Sequence, residues 1–91
     1  MNQKPRTEIY KKAIEKWGQP LQIGMAIEEM AELIKELNKW MRGKKNDENI
    51  IEEMADVEIM LEQLKVMFSN HSEIEEAKHE KLKRVELMLH D

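Results

Sequence analysis

Two stretches of this chain carry apolar residues that step by four and three in turn, and that spacing leaves few folds open. Ile23, Ile27, Met30, Ile34, Leu37 and Met41 form the first set; Ile50, Met54, Val57, Leu61, Leu64 and Phe68 form the second. A helix repeats about every 3.6 residues, so each set draws one apolar seam down a helix face. The spacing predicts two long helices, about Pro20 to Met41 and about Glu48 to Phe68. Each would be roughly 30 Å long at 1.5 Å per residue. Helices with such seams pack antiparallel in a bundle, so the expected fold class is all-α, an antiparallel helical bundle with two long central helices.

The breaks agree with this reading. Pro5, Gly18 with Pro20, the stretch Gly43 to Asp47 and the stretch Ser69 to Ser72 punctuate the chain. Pro20 suits the first turn of a helix, where its missing N–H had no partner. Tyr10, Ala13, Ile14 and Trp17 fall at helical spacing and predict a short first helix. A fourth helix is expected from a capping box at Ser72-Glu73-Ile74-Glu75. Its apolar residues, Ile74, Ala77, Leu82, Val85, Leu87, Met88 and Leu89, make a weaker seam that calls for a partner chain. Residues 1–91 are read as a single helical domain. A chain of 91 residues buries a modest core, and oligomerisation is a common remedy. The bundle is therefore expected to be completed by a homo-oligomer, a dimer or a tetramer.

Composition narrows the chemistry. Charged residues at 37% with only 3 Gly and 2 Pro exclude a sandwich, a barrel or a disordered tail. The absence of cysteine excludes disulfides and thiolate metal sites, so any metal must be held by carboxylates or by the 3 His. No apolar stretch approaches membrane-spanning length and no signal-peptide pattern opens the chain, so no membrane partner and a cytoplasmic location are expected. The net charge of -4 argues against a nucleic acid polymer as partner. A phosphorylated ligand remains compatible if divalent cations stand between it and the protein.

One short repeat carries the chemistry. Ile27-Glu28-Glu29-Met30-Ala31-Glu32 recurs as Ile51-Glu52-Glu53-Met54-Ala55-Asp56, offset by 24 residues. Positions i and i+3 share a helix face, so Glu29 with Glu32, and Glu53 with Asp56, each form a two-carboxylate patch beside the apolar seam. In a hairpin of the two long helices the four acids converge at the edge of the core. Like charges brought together there repel and lose hydration. A divalent cation removes the conflict, and oxygen ligands suit Mg²⁺ or Mn²⁺. The plain alternative is solvated surface charge on a non-catalytic helical-bundle interaction or regulatory module.

The arrangement E-x-x-E, a spacer of 20 residues, then E-x-x-D on paired helices resembles the all-α nucleoside triphosphate pyrophosphohydrolases of the MazG-like group. Lys16-Trp17-Gly18, Ala26 to Leu33 and Ala55 to Leu61 are also similar to small phage-type members. The resemblance covers the chain from about Ile14 to Arg84. It implies hydrolysis of a nucleoside triphosphate to the monophosphate and pyrophosphate, with Glu29, Glu32, Glu53 and Asp56 as metal ligands and Glu29 and Glu53 as the catalytic carboxylates. A carboxylate left free by the metal could act as general base, with Glu28, Glu36 and Glu52 as further candidates. Basic residues on the last helix bind phosphate in the family, which implies that role for Lys81 and Arg84.

Lys39 joins them as a phosphate candidate from the run Lys39, Arg42, Lys44 and Lys45 at the hairpin loop. Basic residues near a helix C-terminus also serve the helix dipole alone. Trp17 and Trp40 offer faces on which a base could stack, and Gln22 could read a base edge; a Trp at helical spacing equally serves a core or an interface. The 8 Met need only be gap-fillers in helical packing. His79 lies in a single E-x-x-H, which falls short of the paired motifs of a di-iron bundle.

Overall fold

Gly18 holds a positive φ of 86° that an L side chain rarely adopts, and this lets the chain end one helix and begin the next with a single residue between them. The computed structural model describes residues 5–90. In it α1 is Arg6–Trp17, α2 Gln19–Met41, α3 Asp47–Phe68 and α4 His71–Leu89. No strand occurs among the described residues, and no helix is long and apolar enough to cross a membrane. The all-helical class and the two long helices are as the spacing predicts. Pro20 sits in the first turn of α2, where it costs no hydrogen bond.

The start of α4 differs from the expected capping box. Its N-cap is Asn70, with no side-chain cap bond, and Ser72 falls inside the first turn. The cause lies at the end of α3. Ser69 turns into the left-handed region (φ 51°), and the Asn70 N–H donates to the Lys65 carbonyl at 3.3 Å. That tight closure leaves two residues for the turn, so α4 begins before Ser72 is reached.

α2 and α3 pack against each other more extensively than any other pair, and α1 lies across both. The pairing is antiparallel. Gln63 Nε2 donates to Gln22 Oε1, Glu29 meets Asp56, and Asn46 and Asn49 both donate to Glu36. Positions 22, 29 and 36 on α2, and 49, 56 and 63 on α3, recur every seven residues, two helical turns apart. One polar layer therefore crosses the hairpin in each heptad. Ala26, 1% exposed, lies between the first two layers and lets the backbones approach.

This places the long helices in a different rotation from the one the apolar seams suggest. The inward stripe of α2 runs through Gln22, Ala26, Glu29, Leu33 and Glu36, and that of α3 through Glu53, Val57, Met60, Leu64 and Met67. On α2, Ile27 and Ile34 are each 60% exposed and Met41 76%; on α3, Met54 and Phe68 stand in solvent. One residue turns a helix by about 100°, so part of each apolar seam falls beside the inward stripe; Val57 and Leu64 belong to both. The polar side chains can occupy the interface because they pair across it.

α1 is fastened to α3 by Tyr10, which is buried and whose hydroxyl donates to Glu62. Arg6 Nη1 reaches the same carboxylate at 3.2 Å. Burial, then the bond to Glu62, pushes the Tyr10 pKa up to about 12. The same bond holds Glu62 below the usual carboxylate value. α4 packs only slightly on the rest, and Leu82, Val85, Leu87, Met88 and Leu89 are all exposed. The radius of gyration is 16.3 Å, against about 12 Å for a compact chain of this length. Tyr10, Ala26 and Met60 are the buried hydrophobic residues among those described.

Gln63, 3% exposed, and Gln22, 2% exposed, satisfy each other out of water. Gln63→Ala should leave the Gln22 amide without that partner and destabilise the fold by about 1–3 kcal/mol. Chemical denaturation checks this, with the exposed Lys83→Ala as a control that should stay within about 0.5 kcal/mol.

Candidate metal centre

Of the three polar layers between α2 and α3, the outer two join a donor to an acceptor. Gln22 faces Gln63 at one end. At the other, Glu36 accepts from Asn46 Nδ2 at 2.9 Å and meets Lys39 Nζ at 3.2 Å. These donors, Asn46 before Lys39, hold the Glu36 carboxyl below its ordinary pKa. The middle layer has no donor of this kind. It consists of Glu29 from α2 with Glu53 and Asp56 from α3, and one carboxylate oxygen of each lies within 4.8 Å of the others.

The like charges crowded there oppose the ionisation of Glu29 and Glu53. Burial first, then a hydrogen bond shared with Asp56 and the charges of Asp56, Glu53 and Glu32, raise the pKa of Glu29. Burial first, then the charges of Asp56, Glu32, Glu36 and Glu52, raise that of Glu53. Glu53 Oε2 is moreover shut off from solvent with no hydrogen-bond donor among the described residues. A buried acceptor without a donor is uncommon and asks for an explanation. An oxygen-only donor set with one oxygen lacking a partner fits a hard divalent cation such as Mg²⁺ or Mn²⁺, which takes carboxylates together with water.

The four acids expected to act together are not equivalent. Glu29, Glu53 and Asp56 converge, while Glu32 is exposed and bears on the layer through its charge. Three residues turn a helix by about 300°, so Glu32 stands roughly 60° round α2 from Glu29, off the inward stripe. Glu28 and Glu52 are exposed beside the layer. Glu36, named with them as a candidate base, is engaged by Asn46 and Lys39.

The cationic and aromatic candidates are dispersed over the single chain. Lys39 pairs with Glu36 one layer away. Lys81 and Arg84 are exposed on α4, whose packing against the other helices is slight. Trp17 is exposed with Lys16 Nζ 5.3 Å from its ring centre, and Trp40 is exposed near the far end of α2. Gln22 is enclosed between the helices, its amide bonded to Gln63 and Met25. Gln22 and Trp40 are about 27 Å apart along α2 at 1.5 Å per residue, so one chain does not bring the three base candidates together. The reading from sequence does not include Asn46, Asn49 and Gln63, which frame the site; Asn49 and Gln63 carry a signal in the seven-residue recurrence 49, 56, 63, and Asn46, in the loop before α3, has none.

Compared with family models, with curated proteins and with solved structures, the chain matches none.

The raised pKa values have a definite sign in stability. A carboxyl that holds its proton more tightly folded than unfolded contributes stability below the unfolded pKa, and that contribution is lost as pH rises through the folded value. Glu29 and Glu53 act this way in the metal-free protein; Glu36 and Glu62, whose pKa values are lowered, act in the opposite sense. The Glu53→Gln variant isolates one contribution. Without metal it should melt above wild type at about pH 7.5 and with a much smaller difference at about pH 5. Paired thermal melts in EDTA check this; equal shifts at both pH values would contradict it.

Proposed function

We propose that this chain is a metal-dependent nucleoside triphosphate pyrophosphohydrolase of the MazG-like kind, working in the cytoplasm as a homo-oligomer. The observation that carries the reading is the middle layer of the hairpin: Glu29, Glu53 and Asp56 converge, and Glu53 Oε2 is buried with no hydrogen-bond partner among the described residues. Like-sign carboxylates in a helix interface are unfavourable by themselves, and a bound cation would relieve the repulsion.

In this reading Glu29, Glu53 and Asp56, with Glu32 at the margin, would hold Mg²⁺ or Mn²⁺. When bound, that cation neutralises triphosphate charge and lowers the pKa of water. Hydrolysis at the α-phosphorus adds water there and breaks the bond to the bridging oxygen, giving the monophosphate and pyrophosphate. Glu53 and Glu29, whose pKa values are raised, are suited to accept the proton of the attacking water. Lys81 and Arg84 would bind phosphate from a second chain or after α4 closes, because the single chain leaves them exposed. Trp17 and Trp40 would offer stacking surface for the base in the assembled oligomer.

The oligomer has its own support. The open apolar seams of α2 and α3 and the slight packing of α4 leave a chain with a radius of gyration of 16.3 Å. A second copy covering these seams completes an antiparallel bundle of long helices.

Pyrophosphate release from a panel of ribo- and deoxynucleoside triphosphates with Mg²⁺ or Mn²⁺ tests the activity. Glu53→Gln should lower the rate by about 10²-fold or more, with helix content unchanged. Silence across the panel, from folded and oligomeric protein, favours the non-catalytic interaction module. Sedimentation should find a dimer or tetramer at micromolar concentration. Ile34→Asp, on the exposed seam, should weaken that assembly by roughly 1.5–3 kcal/mol or more; a wild-type monomer would refute the oligomer.

A further inference from the structure

A cleft away from the carboxylate layer has the opposite chemistry. It lies where the start of α1, the last turns of α3 and the start of α4 meet, and its volume is about 710 Å³. That is within the roughly 300–1,000 Å³ typical of small-molecule sites. Arg6 and Lys11 of α1, Lys65 of α3 and His71 of α4 line it. The carboxylate on its wall is Glu62, which is already held by Arg6 at 3.2 Å and by the Tyr10 hydroxyl. With Arg6 and Glu62 offsetting each other, Lys11 and Lys65 leave the lining with two net positive charges, in a chain whose net charge is -4.

The neutral groups suit an anion as well. Thr7, Ser69 and Ser72 bring hydroxyls to the same space. α4 begins here without a side-chain cap, so its first N–H groups have no helical acceptor, and His71 and Ser72 of that turn line the cleft. Arg6 spends one nitrogen on Glu62, and a guanidinium carries about five donors. The Tyr10 ring and Val66 give the cleft an apolar wall. Four elements of recognition therefore meet: fixed cations, hydroxyls, helix-end amides and an apolar surface.

We propose that this cleft binds a phosphate-bearing small molecule directly, through protein cations rather than through a metal. It stands apart from the carboxylate layer, since Lys65 is about 14 Å along α3 from Asp56 at 1.5 Å per residue. It does not rest on the hydrolase reading, and it gives the chain a second, metal-independent ligand site.

The test is amide NMR of the full-length labelled protein in EDTA, titrated with inorganic phosphate and, separately, with adenosine monophosphate. Saturable shifts confined to the segments around Arg6 to Lys11 and Lys65 to Ser72 are expected, with the organic phosphate tighter because it also meets Tyr10 and Val66. The double variant Lys11→Ala with Lys65→Ala should bind about tenfold or more weakly, since charge-assisted hydrogen bonds to phosphate are lost. The charge-matched pair Lys78→Ala with Lys83→Ala, exposed on α4, should bind as wild type. If the double variant loses helix content, Lys11→Ala alone takes its place with the same expected direction. Shifts that never saturate, that fall at the carboxylate layer, or that weaken equally in the two charge-matched variants would overturn the proposal.

Discussion

The interface between α2 and α3 is held in register by side chains that must find partners out of water, and the rest of the structure follows from how well each finds one. Gln22 with Gln63 and Glu36 with Asn46 lock the two ends of the hairpin. A shift by one residue would leave the buried Gln22 and Gln63 without each other and break the bond from Asn46 to Glu36, each unsatisfied buried group costing about 1–3 kcal/mol. The register so fixed brings Glu29 opposite Glu53 and Asp56. The fold thus brings together like-charged groups that the hairpin alone does not satisfy, and it is the two good layers that hold the unfavourable one in place.

The same rotation decides what remains outside. Turning the inward stripes to Gln22, Ala26 and Glu29 on α2 and to Glu53, Val57 and Met60 on α3 carries Ile27, Ile34 and Met54 to the surface. An apolar stripe beside a polar-layered one gives each long helix two packing faces. One is used within the chain. The other is free for a second copy, which links the metal-binding reading to the oligomeric one through a single geometric choice. Tyr10 fastens α1 to α3 through Glu62 and forms part of the wall of the basic cleft.

Much of this was legible in the chain itself. Pro20, Gly18 and Gly43 mark helix ends through backbone constraints that tertiary context rarely overrides, so the helices came out close to their observed limits. The repeated acid pairs pointed to Glu29, Glu53 and Asp56. The rotation was not legible, because apolar spacing identifies a face without saying which partner covers it. Ile27 and Ile34 were read as facing α3 when Gln22 and Glu36 do. Buried polar residues such as Gln63 look like surface until their partners are known. Glu32 stands apart from the three converging acids for a related reason, since residues i and i+3 lie some 60° apart round the helix and the interface is narrower. Ser72 read as a cap because local motifs do not register a left-handed Ser69 three residues earlier.

The most direct test of the account is anomalous diffraction from crystals grown with Mn²⁺ and a non-hydrolysable nucleoside triphosphate. A Mn²⁺ peak is expected at ligand distance from Glu53 Oε2, with Glu29 and Asp56 in the same coordination sphere. Bound nucleotide with no metal between Glu29, Glu53 and Asp56, or a metal held elsewhere on the chain, would contradict it.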